Sequence, residues 1–179
     1  MLTGLCLVSE AADLAARRHS GQQRKGHEDE PYINHLAEVA SLLASVTDGK
    51  DAELVAAGWL HDTIEDTDTG RDELAERFGA RVADLVEEVT DDMTLAKSER
   101  RRRQVIDAPK KSPGAKLIKI ADKVSNVRAR IFFEPDTEQR EELADYLAWA
   151  EQVAKGCRGV NAKLDALFDE TVAQAKNTL

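Results

Sequence analysis

Gly58-Trp59-Leu60-His61-Asp62-Thr63-Ile64-Glu65-Asp66-Thr67 closes a run that is apolar almost all the way round from Leu54 onwards. Leu54, Val55, Ala56, Ala57, Trp59 and Leu60 leave no polar face, so the spacing predicts a buried central helix over about 52–65. Residues three and four apart share a helix face. His61 and Glu65, Asp62 and Glu65, and Asp62 and Asp66 then meet on one side. One imidazole and three carboxylates there repel one another unless a cation sits among them or protons are shared. A metal-dependent hydrolase site is the economical reading of the segment.

Working outward, the same helical periodicity recurs. A first helix is expected over about 3–18, with Leu5, Val8, Ala12 and Ala15 towards the core. A polar, glycine-containing loop follows over 19–31. A second helix starts near Tyr32, carries Ile33, Leu36, Ala37, Ala40 and Leu43, and breaks at Asp48-Gly49. Beyond the central helix, one helix pauses at Phe78-Gly79 and another spans 80–89. The basic stretch 97–103 lies on a helix that ends before Pro109. Further helices are expected over 115–131, 138–155 and 161–175, the first opened by Ser112-Pro113-Gly114. No convincing strand is read, and the fold class is all-α, a helical bundle forming a single domain over 1–179.

Composition agrees. Hydrophobic residues make up 42% and charged residues 33% of 179 positions, which suits one globular domain able to bury a core. Aromatics are only 4%, and Ala and Leu outnumber β-formers. The net charge of -9 argues against nucleic acid as a partner. It does not argue against a small anionic substrate, because local cations set the field of a pocket. Cys6 and Cys157 have no metal-ligand spacing and read as reduced thiols of a cytoplasmic protein. The N-terminal stretch reads as the first turn of a helix rather than a signal peptide, and no apolar run reaches the roughly 20 residues of a membrane span. The oligomeric state stays open, a homo-oligomer included.

A divalent metal with nitrogen and oxygen ligands needs donors converging from separate elements. His61 and Asp62 supply two. His35, in Pro31-Tyr-Ile-Asn-His35, is a candidate second imidazole, and Asp122, after the apolar run Leu117-Ile-Lys-Ile-Ala, is a candidate second carboxylate. Taken singly, His35 reads equally as a satisfied core histidine and Asp122 as the partner of Lys119 or Lys123. Glu65 and Asp66 are the candidate catalytic pair, since a carboxylate beside a metal can orient water or take its proton. Acids at a helix C-terminus oppose the macrodipole, which a cation would offset. Arg24 and Lys25 are candidate anion-binding cations or ordinary loop bases. Asn126 shares a face with Asp122. Lys97 reads as part of a solvated face or as a ligand contact. His19 and His27 are expected on an exposed loop. Tyr146 and Trp149 are expected in the core or lining a groove, with Tyr146 a candidate for stacking on a base.

These stretches together resemble the HD-domain hydrolases of the RelA/SpoT group, nearest the small hydrolase-only subgroup that includes the metazoan SpoT homologue. The likeness is carried by His19-Ser-Gly-Gln-Gln-Arg24-Lys25, Pro31-Tyr-Ile-Asn-His35, Leu60-His61-Asp62-Thr-Ile-Glu65-Asp66-Thr67, Phe78-Gly79, Val89-Thr90-Asp91-Asp92, and Ser112-Pro-Gly-Ala-Lys-Leu-Ile-Lys-Ile-Ala-Asp122-Lys-Val-Ser-Asn126-Val-Arg128. It covers about residues 10–160. The resemblance implies an all-α fold, a Mn²⁺ ion on His35, His61, Asp62 and Asp122, catalytic carboxylates at Glu65 and Asp66, and nucleotide contacts at Arg24, Lys25 and Asn126. It implies removal of the 3′-pyrophosphate of guanosine tetra- or pentaphosphate (ppGpp, pppGpp), giving GDP or GTP. The chain departs from the pattern at Leu36, where many relatives have Pro, in the acidic loop His27-Glu-Asp-Glu30, and at Glu138 and Glu142, where metazoan relatives carry Trp and Arg. Two alternatives stand beside this reading: another nucleotide phosphohydrolase, such as an NADPH 2′-phosphatase, and a nucleotide-sensing module that no longer cleaves.

Overall fold

Ala- and Leu-rich segments punctuated by Gly, Asp and Pro fold as helices through most of the chain. The computed structural model describes residues 2–24, 27–132 and 137–179, and of 27–29 the backbone alone. It comprises two units, Met1–Asp92 and Met93–Leu179. The first holds α1 (Gly4–Arg18), β1 (Gln23–Arg24), β2 (His27–Pro31), α2 (Ile33–Val46), α3 (Ala52–Leu60), α4 (Thr63–Asp66), α5 (Arg71–Phe78) and α6 (Ala80–Val89). The second holds α7 (Lys97–Asp107), a 3-10 turn (Ala108–Lys110), α8 (Pro113–Ile131), α9 (Thr137–Cys157) and α10 (Ala162–Lys176).

α3 is the centre of the first unit, packed by α1, α2 and α6. Leu54, Ala56, Ala57 and Leu60 are buried against Leu7 and Leu14 of α1, Leu36 and Leu43 of α2, and Val82 and Val86 of α6, all core residues of these helices. Burying each Leu is worth about 1.5–3 kcal/mol, so the all-round apolar pattern of α3 has its physical return. Asp51 fixes the start of α3 by accepting the Leu54 N–H at 3.0 Å. Arg81 of α6 binds both oxygens of the same carboxylate at 2.6 Å. That bond holds the Asp51 carboxyl below its usual range. Gly58 lets α2 and α3 close up: a Cβ there would lie 2.5 Å from Leu43 Cδ1 and 3.3 Å from Ala40 Cα. The pause at Gly79 is a change of direction, with φ at +90°, between α5 and α6.

In the second unit α8 packs on α9 and α10, and α7 lies on α9. Ser112 caps α8 by accepting the Ala115 N–H, with Pro113 in the first turn. Ile118, Ile120, Ala121, Val124 and Val127 fill the interior. Trp149 of α9 donates its indole N–H to the Arg101 carbonyl at 3.0 Å and carries the Lys123 ammonium 4.5 Å above its ring.

The all-α expectation holds, with two corrections. A two-stranded antiparallel ribbon, β1 with β2, lies within the stretch read as a polar loop. The central helix also does not run unbroken to Glu65. It ends at Leu60 and restarts as α4 after Asp62, whose φ of -100° and ψ of 1° interrupt the helical turn. No described helix is long and apolar enough to cross a membrane. Both cysteines are free, Cys6 exposed and Cys157 buried.

Candidate metal centre

The break after Leu60 builds the site. His61 stays on the end of α3, and its Nδ1 lies 2.8 Å from the Gly58 carbonyl. A carbonyl only accepts, so Nδ1 carries a proton and Nε2 is the nitrogen turned towards Asp62. Asp62 is turned back towards it: Asp62 Oδ2 lies 3.1 Å from His61 Nε2 and 3.5 Å from His35 Nε2. His35 arrives from the first turn of α2 and is 2% exposed. The three donor atoms all lie within 4.8 Å of one another. Metal bonds of ~2.1 Å put neighbouring ligands ~3 Å apart, so two imidazoles and one carboxylate at these separations suit a divalent cation. Burial alone would raise the Asp62 carboxyl, but the His61 and His35 rings outweigh it and the group is held well below the usual carboxylate range. Asp62 therefore faces the imidazoles as an anion.

Around this core, Tyr32 donates its hydroxyl to Asp62 Oδ2 at 2.6 Å. The Tyr32 ring stacks on His19 at 5.3 Å between centroids and tilts against His35 at 5.5 Å. His19 is thus buried, 2% exposed, contrary to its expected place on an exposed loop; the ring-on-ring contact is the reason. Glu65 of α4 accepts the Asp91 N–H on Oε2 at 3.0 Å, which fixes its carboxylate. Asp66 is exposed, and its carbonyl receives the Gln22 side-chain amide at 3.2 Å. Arg24, on β1, is buried and sends guanidinium nitrogens to Glu30 and to His35 Nδ1, each at 3.3 Å. Lys25 and the His27 side chain lie outside the described residues.

The remaining candidates belong to the second unit. Lys123 donates to Asp122 Oδ2 at 2.6 Å, and the Asn126 amide donates to Oδ1 at 2.5 Å. Lys97 is exposed at the start of α7. Tyr146 is buried, with the Arg130 guanidinium 3.8 Å over its ring, and burial pushes its phenol up. Its hydroxyl has no hydrogen-bond partner among the described residues. Of the expected ligands the structure brings His35, His61 and Asp62 together; sequence reasoning missed Tyr32, Gln22 and the Asp91 N–H as supports. For Tyr32 a signal existed: it stands three residues before His35, on the same face of one turn.

A helical scaffold bringing two imidazoles and an anionic carboxylate to one point has the make-up of a divalent-metal protein. The chain belongs to the HD domain family, whose sequence model matches residues 11–148. It is 50% identical over 170 residues to the Homo sapiens protein named guanosine-3′,5′-bis(diphosphate) 3′-pyrophosphohydrolase MESH1, with 95% of each chain covered. The Aquifex aeolicus (strain VF5) guanosine-3′,5′-bis(diphosphate) 3′-pyrophosphohydrolase is 41% identical over 140 residues, which are 76% of this chain and 19% of that one. A solved structure described as a metazoan ortholog of SpoT that hydrolyses ppGpp and plays a role in starvation responses superposes with a TM-score of 0.89, 37% identity and full coverage of both chains (100% each).

Proposed function

We propose that this chain is a metal-dependent guanosine-3′,5′-bis(diphosphate) 3′-pyrophosphohydrolase that converts ppGpp or pppGpp to GDP or GTP and pyrophosphate. The observation that carries the reading is the convergence of His35, His61 and Asp62 in a chain half identical to MESH1 along nearly its whole length. Mn²⁺ is the proposed ion, and Asp122 the fourth ligand. The carboxylate chemistry of Asp122, with both oxygens oriented by Lys123 and Asn126, supports that role. His35, His61, Asp62 and Asp122 would hold the ion, which when bound would supply Lewis acidity and lower the pKa of water at the site.

The chain's own groups do the rest. The 3′ oxygen must leave phosphorus and gain a proton while a water loses one. Glu65 and Asp66 are the proposed catalytic carboxylates for that exchange. Of the two, Glu65 is fixed by a backbone N–H and Asp66 is exposed, so Glu65 is assigned to orienting water. Arg24, Lys25, Lys97, Asn126 and Tyr146 are the proposed nucleotide contacts. The buried Tyr146 hydroxyl, without a hydrogen-bond partner among the described residues, supports its share. The contact of Arg24 with His35 Nδ1 needs a lone pair on that nitrogen, since a guanidinium only donates. A cation held on His35 Nε2 would leave the proton on Nδ1 and weaken that contact, making the Arg24 guanidinium more available to an anionic substrate. The two units are proposed to act as one HD-type domain, in the cytoplasm, where its two free thiols stay reduced.

The test is release of pyrophosphate from ppGpp by Mn²⁺-loaded protein, run beside NADPH and a simple phosphomonoester. A higher kcat/KM on ppGpp supports the reading; no release from ppGpp by a metal-loaded sample overturns it.

A further inference from the structure

The geometry points to Tyr32 as a positioning residue of the metal centre: its hydroxyl sets the orientation of Asp62, and through Asp62 the affinity of the site for its cation. This rests on the metal-dependent reading above. Three groups converge on the single oxygen Oδ2 of Asp62: the Tyr32 hydroxyl at 2.6 Å, His61 Nε2 at 3.1 Å and His35 Nε2 at 3.5 Å. A carboxylate oxygen has two lone-pair directions. With the phenol on one, the other is left to face the imidazoles.

Asp62 stands at the N-cap of α4, and Asp is among the best capping residues. Its side chain nevertheless makes no cap hydrogen bond. The carboxylate forgoes the local bond it would ordinarily make, and the Tyr32 hydroxyl is what holds it away.

Tyr32 is itself held firmly enough to do this. Its N–H donates to the Gln22 carbonyl at 2.9 Å. His19 stacks on its ring with planes 28° apart. His19 is fixed in turn by Gln22. Because the Gln22 amide donates to the Asp66 carbonyl, its oxygen faces His19 Nδ1, at 2.8 Å, and that nitrogen carries the proton. One glutamine thus ties the tyrosine bracket to the segment bearing Asp66. Carboxylate and imidazole ligands with their outer hydrogen bonds removed lose metal affinity by about 10–100-fold.

The experiment is Tyr32→Phe, which keeps the ring and its stacking and removes only the hydroxyl. Mn²⁺ binding to the chelator-stripped protein is measured by calorimetry, and the visible bands of the Co²⁺-loaded protein report ligand geometry. The expected result is about 10–100-fold weaker Mn²⁺ binding with shifted cobalt bands. Replacing Tyr32 with 3-fluorotyrosine, a stronger donor of nearly the same shape, is expected to keep tight binding and still move the bands, a result independent of how well Tyr32→Phe folds. Wild-type Mn²⁺ affinity in Tyr32→Phe, or cobalt bands unmoved by the fluorinated residue, overturns the proposal. Failure of the unsubstituted protein to take up Mn²⁺ at all overturns the metal reading instead, and the role of Tyr32 with it.

Discussion

Gly58→Ala tests whether the closeness of α2 and α3 sets the metal centre. The added Cβ would stand 2.5 Å from Leu43 Cδ1, where ordinary contact begins at 3.4 Å, so about 0.9 Å must be found. Leu43 is fully buried, at 0% exposure, and its methyl has no solvent to turn into. Ala40 Cα, 3.3 Å away, is backbone and moves only with α2. Overpacking of this kind costs about 1–3 kcal/mol, against a helix-propensity gain of about 1 kcal/mol for Ala over Gly. The net expectation is a loss of up to about 2 kcal/mol, or a fall in Tm of up to roughly 8 °C for a chain of this size. Because α2 carries His35 and His61 caps the C-terminus of α3, separating the helices also spreads the donors. Functional constellations tolerate only about 0.5 Å, so Mn²⁺ affinity is expected to fall with stability. Melting curves with and without Mn²⁺, and calorimetric titration, read both effects. Leu43→Ala in the same chain should recover part of the loss, a coupling of about 0.5–3 kcal/mol in a double-mutant cycle. A Gly58→Ala protein with raised Tm and unchanged Mn²⁺ affinity refutes the argument.

Three further outcomes are expected. Glu65→Gln should keep Mn²⁺ binding while kcat falls by about 10²–10⁴, measured by pyrophosphate release; retained wild-type turnover would remove Glu65 from the chemistry. Arg24→Met should raise KM for ppGpp without weakening Mn²⁺ binding, because it removes a donor that competes for His35 Nδ1; a weaker metal site with unchanged KM would contradict this. Asp51→Asn should destabilise at neutral pH by about 1 kcal/mol, the figure allowing for the exposure of the Arg81 pair. The Asp51 carboxyl is held below its usual range by Arg81, so its contribution is complete above the unfolded pKa of about 3.9 and is lost as pH falls through the lowered folded value. The difference in stability from the unsubstituted chain should therefore shrink on acidification below pH ~4.

Much of the fold was legible because helix periodicity survives in single segments. The helix expected over 80–89 is α6, Ala80–Val89, with Val82, Leu85 and Val86 buried at helical spacing. The ribbon was not legible. β1 is two residues long, and β2, His-Glu-Asp-Glu-Pro, has no apolar alternation, so its pairing is a backbone affair with no side-chain signature. The interruption at Asp62 was hidden for the opposite reason: the residues on both sides are helical, and nothing local in the sequence marks the break, where the carboxylate meets two imidazoles and a phenol from elsewhere. The site was legible as residue types, His35, His61 and Asp62, because few other arrangements tolerate them on apolar helices. Its supports were not, since a buried histidine such as His19 and a loop glutamine such as Gln22 acquire meaning only from what packs on them.

Trp149 has a consequence for observing this protein. Its indole lies under the Lys123 ammonium, which is bonded to Asp122, and beside the Arg101 guanidinium, 5.0 Å from the ring. A cation on the face of an indole perturbs the energy of its excited state. The chain has one other tryptophan, Trp59, on α3. Trp149 is therefore a built-in optical gauge: whatever draws Asp122 away from Lys123 alters the charge over the ring and registers in its emission, with no label attached.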